Sequence, residues 1–170
     1  MNLSELERQA QKFFSDPRNN RERPDLKSIY IIGALKNRSI PKLANQIEKL
    51  GIEAFDSWQS PGPDADIYLK KYEKLRGRNH LDAMRGYAAR HIFEFDAFHL
   101  KRCDAAVLVM PAGKSGHIEL GWVLGSGKPG FILFDREPRK YDLMHLFATD
   151  MFYSTKEFLK RLKQLKKEKQ

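Results

Sequence analysis

Short, continuously apolar runs recur along the chain from residue 28 onward. They occupy residues 29–32, 52–55, 105–110, 131–134 and 151–153. Runs of this length without an alternating polar face are typical of strands in a parallel sheet, where both faces are buried. The strongest is 105–110, Ala-Ala-Val-Leu-Val-Met, and the first ends directly at Gly33. The pattern therefore predicts four or five strands.

Segments with a helical period of apolar positions lie between these runs. They occupy residues 41–50, 67–75, 79–101, 115–124 and 155–167. Strands that alternate with helices indicate an α/β fold, here a single-domain flavodoxin-like or Rossmann-like three-layer sandwich with a mainly parallel sheet. Residues 1–27 are expected to form a short helix (3–14) and an irregular extension. Residues 28–155 form the α/β domain, and 156–170 form the basic end of the closing helix.

Charge first suggests a polyanion as partner. The 170 residues include 31 Lys and Arg against 22 Asp and Glu, a formal net charge of +9, which is typical of nucleic-acid binding. Seven of the basic and two of the acidic residues, however, lie in 156–170, mostly on the solvated face of an amphipathic helix. The basic residues near the predicted binding edge, Lys114 with Lys36 or Arg38, suit one phosphate better than a polymer. Nucleic acid is therefore not the expected partner.

Other classes are excluded by simple features. No apolar stretch approaches the roughly 20 residues of a membrane-spanning helix, and the start of the chain lacks the apolar region of a secretory signal. Cys103 is the single cysteine, which excludes an intramolecular disulfide and a CxxC zinc site. We expect a cytoplasmic protein that does not associate with membranes and needs no metal or other cofactor.

Parallel α/β folds bind ligands at the carboxyl ends of their strands. The candidate binding residues that follow the predicted strands are Gly33, Asp56, Trp58, Gly113, Lys114, Ser115, Gly116 and His117. Gly113–Gly116 lies where a strand gives way to a helix, and backbone N–H groups at such a turn favour an anion. A Walker A motif is excluded because the glycine it needs is Leu108. The alternative is an ordinary turn with Ser115 as the helix N-cap.

The aromatic, acidic and imidazole candidates each have two interpretations. Trp58 is either a structural plug or a platform on which a base stacks. Asp56 either forms a turn or binds a sugar hydroxyl. His117 either contacts the bound phosphate or satisfies a local hydrogen bond, and the local role is the one expected for His80 and His145.

Two carboxylates are candidate catalytic groups. Glu119 is predicted in the first turn of the helix that follows the Gly113 turn, where the helix dipole would keep it ionised. An ionised carboxylate at that edge can attack an anomeric carbon; the alternative is a simple helix-start acid. Asp96 interrupts the apolar stretch 93–98, so it is either exposed or functional. Asp104 is expected to end the preceding helix.

Four segments together resemble the nucleoside 2-deoxyribosyltransferase superfamily, which includes nucleoside 5′-monophosphate N-glycosidases. They are Ile-Tyr-Ile-Ile-Gly at 29–33, Asp96 within Phe-Asp-Ala-Phe-His-Leu, Asp-Ala-Ala-Val-Leu-Val at 104–109, and Gly-His-Ile-Glu-Leu-Gly at 116–121. The similarity extends over residues 28–135. It implies an enzyme in which Glu119 attacks C1′ of the sugar and Asp96 positions the substrate or manages protons. It also implies a homodimer or higher homo-oligomer.

One departure from the family pattern bears on the substrate. Deoxyribosyltransferases have a further Asp six residues before the nucleophile, and here that position is Gly113. Lys114 and Ser115 follow it, which suits a phosphate and favours a nucleoside 5′-monophosphate. Hydrolysis and transfer both stay open. An NAD-cleaving glycohydrolase and a non-catalytic nucleotide-binding module are the alternatives.

Overall fold

The structure is a computed structural model that describes residues 26–167. The helix predicted over 3–14 lies outside the described residues, as does the rest of 1–25. Within 26–167, no helix has both the length and the apolar composition that crossing a membrane requires.

The centre of the fold is a five-stranded parallel sheet in the order β2-β1-β3-β4-β5. The strands are β1 (Ser28–Ile32), β2 (Glu53–Phe55), β3 (Ala105–Val109), β4 (Gly130–Leu133) and β5 (Asp150–Phe152). In β1, β3 and β4 every residue is buried, which explains their continuous apolar runs. The predicted parallel α/β sheet is confirmed.

Helices cover both faces of this sheet. They are α1 (Ile40–Glu48), α2 (Ala65–Leu75), α3 (His80–Met84), α4 (Tyr87–Arg102), α5 (Lys114–Gly125) and α6 (Thr155–Lys167). Short 3₁₀ turns occur at Ser57–Gln59 and Leu143–Phe147.

Alternate side chains of each strand point to opposite faces of the sheet and pack into two separate hydrophobic cores. On one face, Ile29 and Ile31 pack with residues of α1 and α6, including Phe158 and Leu162, which are fully buried. On the other face, the core contains Tyr30 and Ile32 with apolar residues of α4 and α5. The period of two along a strand thus places Tyr30 on the side of the sheet that α4 and α5 cover.

The helix predicted as continuous over 79–101 is wrong, because the chain breaks it into α3 and α4. Gly86 between them has extended backbone (φ −74°, ψ 161°) and serves as the N-cap of α4. Space is short there: a Cβ on Gly86 would lie 3.1 Å from both the Ala83 carbonyl oxygen and the Arg78 Nη1. A side chain at this turn would force its neighbours to shift by a few tenths of an ångström.

Candidate active site

The strand order reverses between β1 and β3, because the chain proceeds from β1 outward to β2 and from β3 outward to β4 on the other side. Helix α1 follows β1 and packs on one face of the sheet, whereas α5 follows β3 and packs on the other. The two connections therefore diverge at the carboxyl ends of β1 and β3 and leave a crevice between them. In open α/β sheets, ligands bind in this crevice. Gly33 and the turn before α5 lie at its two sides.

Gly116 allows α5 to begin close to the sheet. A Cβ on Gly116 would lie 3.0 Å from both Ile32 Cγ2 and Leu108 Cδ1. At Gly33, a Cβ would meet the Ile40 side chain at 2.5 Å. Both glycines therefore have a packing role at this edge of the sheet, in addition to whatever contact they make with a ligand.

Glu119 on α5 and Asp96 on α4 come together beside the reversal point. Burial, and then the charge of Asp96, raise the pKa of Glu119 to about 7. Burial also raises the pKa of Asp96 above its ordinary value. Among residues 26–167, no N–H or O–H donates a hydrogen bond to either carboxylate. The site therefore holds two half-buried, uncompensated carboxyl groups that interact with each other.

The expectation that the helix dipole keeps Glu119 ionised is wrong. Helix α5 begins at Lys114 and has no acidic residue in its first turn, so Glu119 lies one turn further along, where the dipole has faded. Burial dominates there and favours the protonated form. Ser115 is also not the N-cap: Gly113 occupies that position, with no side-chain capping hydrogen bond.

Tyr30 of β1 is a member of the site that sequence reasoning missed. Burial raises the pKa of its phenol, and the charges of Glu119 and Asp96 raise it further. Its hydroxyl therefore stays protonated, and it lies close enough to the two carboxyl groups for an electrostatic interaction with each. Because Tyr30 stands in an apolar strand, it looks like a core residue; its polar tip in an otherwise aliphatic run was the available signal.

The turn before α5 has the features that an anion requires. Gly113, Lys114 and Ser115 are exposed, and a Cβ on Gly113 would meet nothing within 4 Å. The first N–H groups of a helix have no intrahelical partner, and here they open to solvent next to the Lys114 ammonium. A phosphate-sized anion can reach them.

His117 has partners on both ring nitrogens. Its Nδ1 lies 2.9 Å from the Gly113 carbonyl oxygen, and its Nε2 lies 3.4 Å from Nε2 of His145. His145 belongs to the 3₁₀ turn Leu143–Phe147. The geometry gives His117 a local hydrogen-bonding role, and a direct contact with substrate stays a prediction.

Trp58 closes the opposite side of the crevice. Strand β2 ends at Phe55, opposite Tyr30, and the Trp58 indole N–H donates to the carbonyl oxygen of Ile31 at 2.7 Å. The ring packs against both cores, as a structural plug does. Its use as a stacking platform stays a prediction.

Asp56, just before Trp58, is half-buried, and burial raises the pKa of its carboxyl group. Lys36 and Arg38 on the loop after β1 are exposed, and Lys36 lies 4.0 Å from Asp64. Asp104 lies at the other edge of the sheet and takes no part in the site.

Within 26–167, no group of three or more His, Cys, Asp or Glu side chains is arranged to hold a metal ion.

Comparison with known proteins gives matches only at the level of structure. No protein-family model and no curated protein sequence matches the chain. The CMP N-glycosidase BcmB of Clostridium botulinum matches 80% of this chain and 98% of its own, with a TM-score of 0.50 and 19% identity. A 2-deoxyribosyltransferase of Bacillus psychrosaccharolyticus matches 78% of this chain and 90% of its own, with a TM-score of 0.55 and 16% identity.

The chain has the nucleoside 2-deoxyribosyltransferase-like fold. At these identities the comparison supports the fold, and the resemblance seen in the sequence is confirmed at that level. Within this fold, Glu119 and Asp96, the two carboxylates that the resemblance singles out, lie close enough to interact, and Tyr30 lies close to both. The turn at Gly113–Gly116 lies at the start of the helix that carries Glu119, and Asp56 and Trp58 lie beyond the other side of β1.

Proposed function

We propose that the protein cleaves or transfers the N-glycosidic bond of a nucleoside 5′-monophosphate, with Glu119 as the nucleophile. One observation carries the proposal: Glu119 is a desolvated carboxyl group, coupled to Asp96 and Tyr30, at the ligand-binding crevice of this fold. Carboxyl groups with pKa values shifted toward neutrality at such a position are typical of catalytic sites.

The coupled pair supplies the two roles that the reaction needs. Since each carboxylate disfavours ionisation of the other, the pair retains a proton more readily than two separate carboxyl groups. Glu119 holds the last proton of the pair, since burial and the charge of Asp96 raise its pKa to about 7. Once that proton is lost, the Glu119 carboxylate attacks C1′, the bond from C1′ to the base breaks, and the base departs with the electron pair and takes a proton from solvent. A carboxylate nucleophile beside a second carboxylate is the arrangement found in retaining glycosidases.

The second step returns the enzyme to its starting state. The Asp96 carboxylate takes a proton from water or from an incoming base, which attacks C1′, and later returns that proton to solvent. The ester bond between C1′ and Glu119 breaks, and the carboxylate is released. The Tyr30 hydroxyl stays protonated and interacts electrostatically with Glu119, so it is placed to stabilise the carboxylate as the leaving group.

The turn before α5 supports a phosphorylated substrate. Its unpaired N–H groups and Lys114 lie at the start of the same helix as Glu119, so they can orient a 5′-phosphate while C1′ meets the carboxylate. The hydroxymethyl group of a free nucleoside brings no charge to this turn. We therefore expect monophosphates to be preferred over nucleosides.

The test is a screen for release of free base. Ribo- and deoxyribonucleoside 5′-monophosphates, the matching nucleosides and NAD are incubated with the protein, and the base is quantified by chromatography, with and without a second base as acceptor. Glu119→Gln should reduce turnover at least about a thousandfold, as removal of a catalytic nucleophile does. Glu94→Gln, which removes an exposed carboxylate from α4, is the matched control and should keep full activity.

Each result of this screen has a distinct meaning. Full activity of Glu119→Gln would overturn the assignment of the nucleophile. Turnover of NAD alone would identify a glycohydrolase for that dinucleotide. Tight binding of monophosphates with no turnover would identify a binding module, and binding of nucleic acid with a steep salt dependence would indicate a different class of protein.

We also propose that the protein is a homo-oligomer. Support comes from the many large apolar side chains exposed on α3, α4 and α5. They are Leu81, Met84, Tyr87, Ile92, Phe93, Phe95, Phe98, Ile118 and Trp122. Such a surface marks an interaction site, and a second copy of the chain is the partner that the resemblance implies.

Light scattering coupled to gel filtration tests the assembly. The wild type should elute with at least twice the mass of the chain, and Phe93→Lys combined with Ile118→Lys should shift it to the monomer. Lys163→Glu, on the exposed face of α6, is the control for a change of surface charge. A monomeric wild type at micromolar concentration would refute the proposal.

A further inference from the structure

Two histidines that are distant in sequence meet beside the turn before α5. The Nε2 atoms of His117 and His145 are 3.4 Å apart, whereas the ring centroids are 5.6 Å apart. Because the nitrogens are much closer than the centres, the rings face each other through their Nε2 edges, with planes 16° apart. This arrangement suits one N–H···N hydrogen bond between the two imidazoles.

The partner of the other ring nitrogen determines the direction of that bond. A carbonyl oxygen can only accept, so His117 must donate to Gly113 through Nδ1–H. In neutral His117, Nε2 is then the acceptor, and His145 must carry its proton on Nε2. The structure therefore assigns one tautomer to each ring, Nδ1–H for His117 and Nε2–H for His145.

The turn that carries His145 is built to present it inward. Asp142 caps the turn by accepting from the Met144 N–H at 3.0 Å, and Asp142 Oδ2 lies 3.9 Å from His145 Nε2. The His145 side chain is only 13% exposed and packs edge-to-face on Phe134, with centroids 5.7 Å apart. The apolar side chains around it in the turn, including Phe147, are exposed. A polar residue is thus held inside while its apolar neighbours face outward.

We propose that His145 is a positioning residue for phosphate recognition. His145 acts through His117, which donates a hydrogen bond to the Gly113 carbonyl oxygen. That carbonyl belongs to the same peptide group as the Lys114 N–H, so fixing one also fixes the other. A fixed peptide plane orients the first N–H of α5 toward the anion before it binds. The inference deepens the proposed function, on which it rests, and adds a residue from the β4–β5 connection to the site.

Nitrogen-15 NMR of the histidine rings tests the geometry without reference to activity. In the full-length wild type at pH 8, long-range ¹H–¹⁵N spectra should give the Nδ1–H tautomer for His117 and the Nε2–H tautomer for His145. Assignments come from His117→Gln and His145→Gln. The exposed His80 should show no single fixed tautomer. An Nε2–H tautomer at His117 would overturn the proposal.

Kinetics of two variants test the function. His145→Leu removes the donor, whereas His145→Gln keeps an N–H that can reach His117. We expect His145→Leu to raise KM for a monophosphate about three- to tenfold, the value of one hydrogen bond, with kcat within twofold. The rise for the matching nucleoside should be smaller, and His145→Gln should restore most of the loss. Equal losses on both substrates, or no recovery in a folded His145→Gln, would contradict the positioning role.

Binding of inorganic phosphate separates this inference from the proposed function. If the wild type releases no base from any substrate, the proposed function fails, but phosphate titration by calorimetry still applies. Binding should then weaken in His145→Leu and recover in His145→Gln, with His80→Leu as the matched control. Equal phosphate affinity in the wild type and His145→Leu would refute the positioning role.

Discussion

Charged groups have opposite environments at the two ends of the parallel strands. Those at the amino ends are paired, whereas the carboxyl groups at the carboxyl ends are half-buried and, within residues 26–167, have no ion-pair partner. At the amino-end edge, one oxygen of Asp104 accepts from the Lys27 N–H at 3.0 Å and from the N–H and hydroxyl of Ser28 at 2.9 Å each. Nearby, the Arg102 guanidinium forms a forked ion pair with Glu53, including a contact of 2.9 Å. Each of these charges has a partner, and each partnership joins separate elements.

Lysines complete the same edge by capping helices from elsewhere in the fold. Lys166 donates to the carbonyl oxygens of Leu50 and Gly51 after α1, both at 2.8 Å. Lys128 donates to the Cys103 carbonyl oxygen at 2.7 Å, where α4 has ended. These ammonium groups bind carbonyl oxygens at or just past the end of a helix, where a positive charge interacts favourably with the helix dipole.

At the carboxyl-end edge, Glu119, Asp96 and Asp56 have the reverse environment. Burial raises the pKa of all three carboxyl groups. Their ionised forms therefore destabilise the folded chain. At the other edge, the Glu53–Arg102 ion pair lowers the pKa of Glu53 and raises that of Arg102, so the ionised forms of these two groups stabilise the folded chain. The difference separates the edge that holds the fold together from the edge that is available for chemistry.

The largest expected effect comes from removing the Asp104 carboxylate. Asp104→Ala leaves the backbone N–H of Ser28 without its acceptor and should lower the free energy of unfolding by about 3 kcal/mol. Asp104→Asn, which keeps an oxygen there, should lose less. Urea denaturation followed by circular dichroism measures both. A loss below about 0.5 kcal/mol for Asp104→Ala, typical of a neutral surface change, would break the comparison.

Replacing Glu119 should have the opposite sign. Its folded pKa of about 7 lies above the ordinary value of 4.5, so the folded chain binds more protons than the unfolded chain between these values. Stability therefore falls as pH rises from 4.5 to 7. At pH 8, Glu119→Gln should be more stable than the wild type by about 2–3 kcal/mol, and below pH 4.5 the difference should vanish. Thermal unfolding across this pH range measures it, and a destabilised Glu119→Gln at pH 8 would contradict the buried-carboxyl interpretation.

A smaller effect is expected for the helix-capping lysines. Lys166→Met keeps an apolar stem but removes the ammonium from two carbonyl oxygens, and should lower the free energy of unfolding by about 1 kcal/mol. Lys163→Met on the exposed face of the same helix is the control and should change it by less than about 0.5 kcal/mol. If the two variants lose the same stability, the capping contacts of Lys166 contribute nothing.

The finest distinction concerns the coupling within the site. If activity requires ionised Glu119, base release should increase with pH through about 7. Asp96→Asn removes a negative charge that raises this pKa, so the residual activity should reach its half-maximum at a lower pH. Since burial is the larger cause of the shift, the midpoint should stay above that of an ordinary glutamate. An unchanged midpoint in the pH–rate profile would show that the two carboxyl groups are not coupled.

The sequence was sufficient for the parts of the molecule that local pattern controls. Buried parallel strands produce apolar runs, so the sheet was predictable, and Glu119 followed from its place after β3. The ionisation state of Glu119 was not predictable, because it depends on desolvation by elements that are remote in sequence. Tyr30 was hidden because its position within an apolar strand gives no sign that it lies close to two carboxyl groups.

The spacing of apolar and polar residues also could not predict contacts between loops that are distant in sequence. His117 and His145 are 28 positions apart, and no local period connects them. The break at Gly86 could have been inferred, since a glycine inside a helical stretch lowers the stability of the helix. The close approach of the Ala83 carbonyl oxygen and the Arg78 side chain to Gly86 could not be read from the spacing of apolar residues.

The hydrogen bond from Trp58 to Ile31 gives the protein a built-in optical reporter. The chain contains two tryptophans, and the second, Trp122, is 40% exposed on α5. In a Trp122→Phe background, all indole emission would come from a ring hydrogen-bonded to the backbone of β1, one residue before that strand ends. If a ligand binds in the crevice next to this ring, the wavelength and quenching of its emission would report occupancy in real time, before any substrate has been identified.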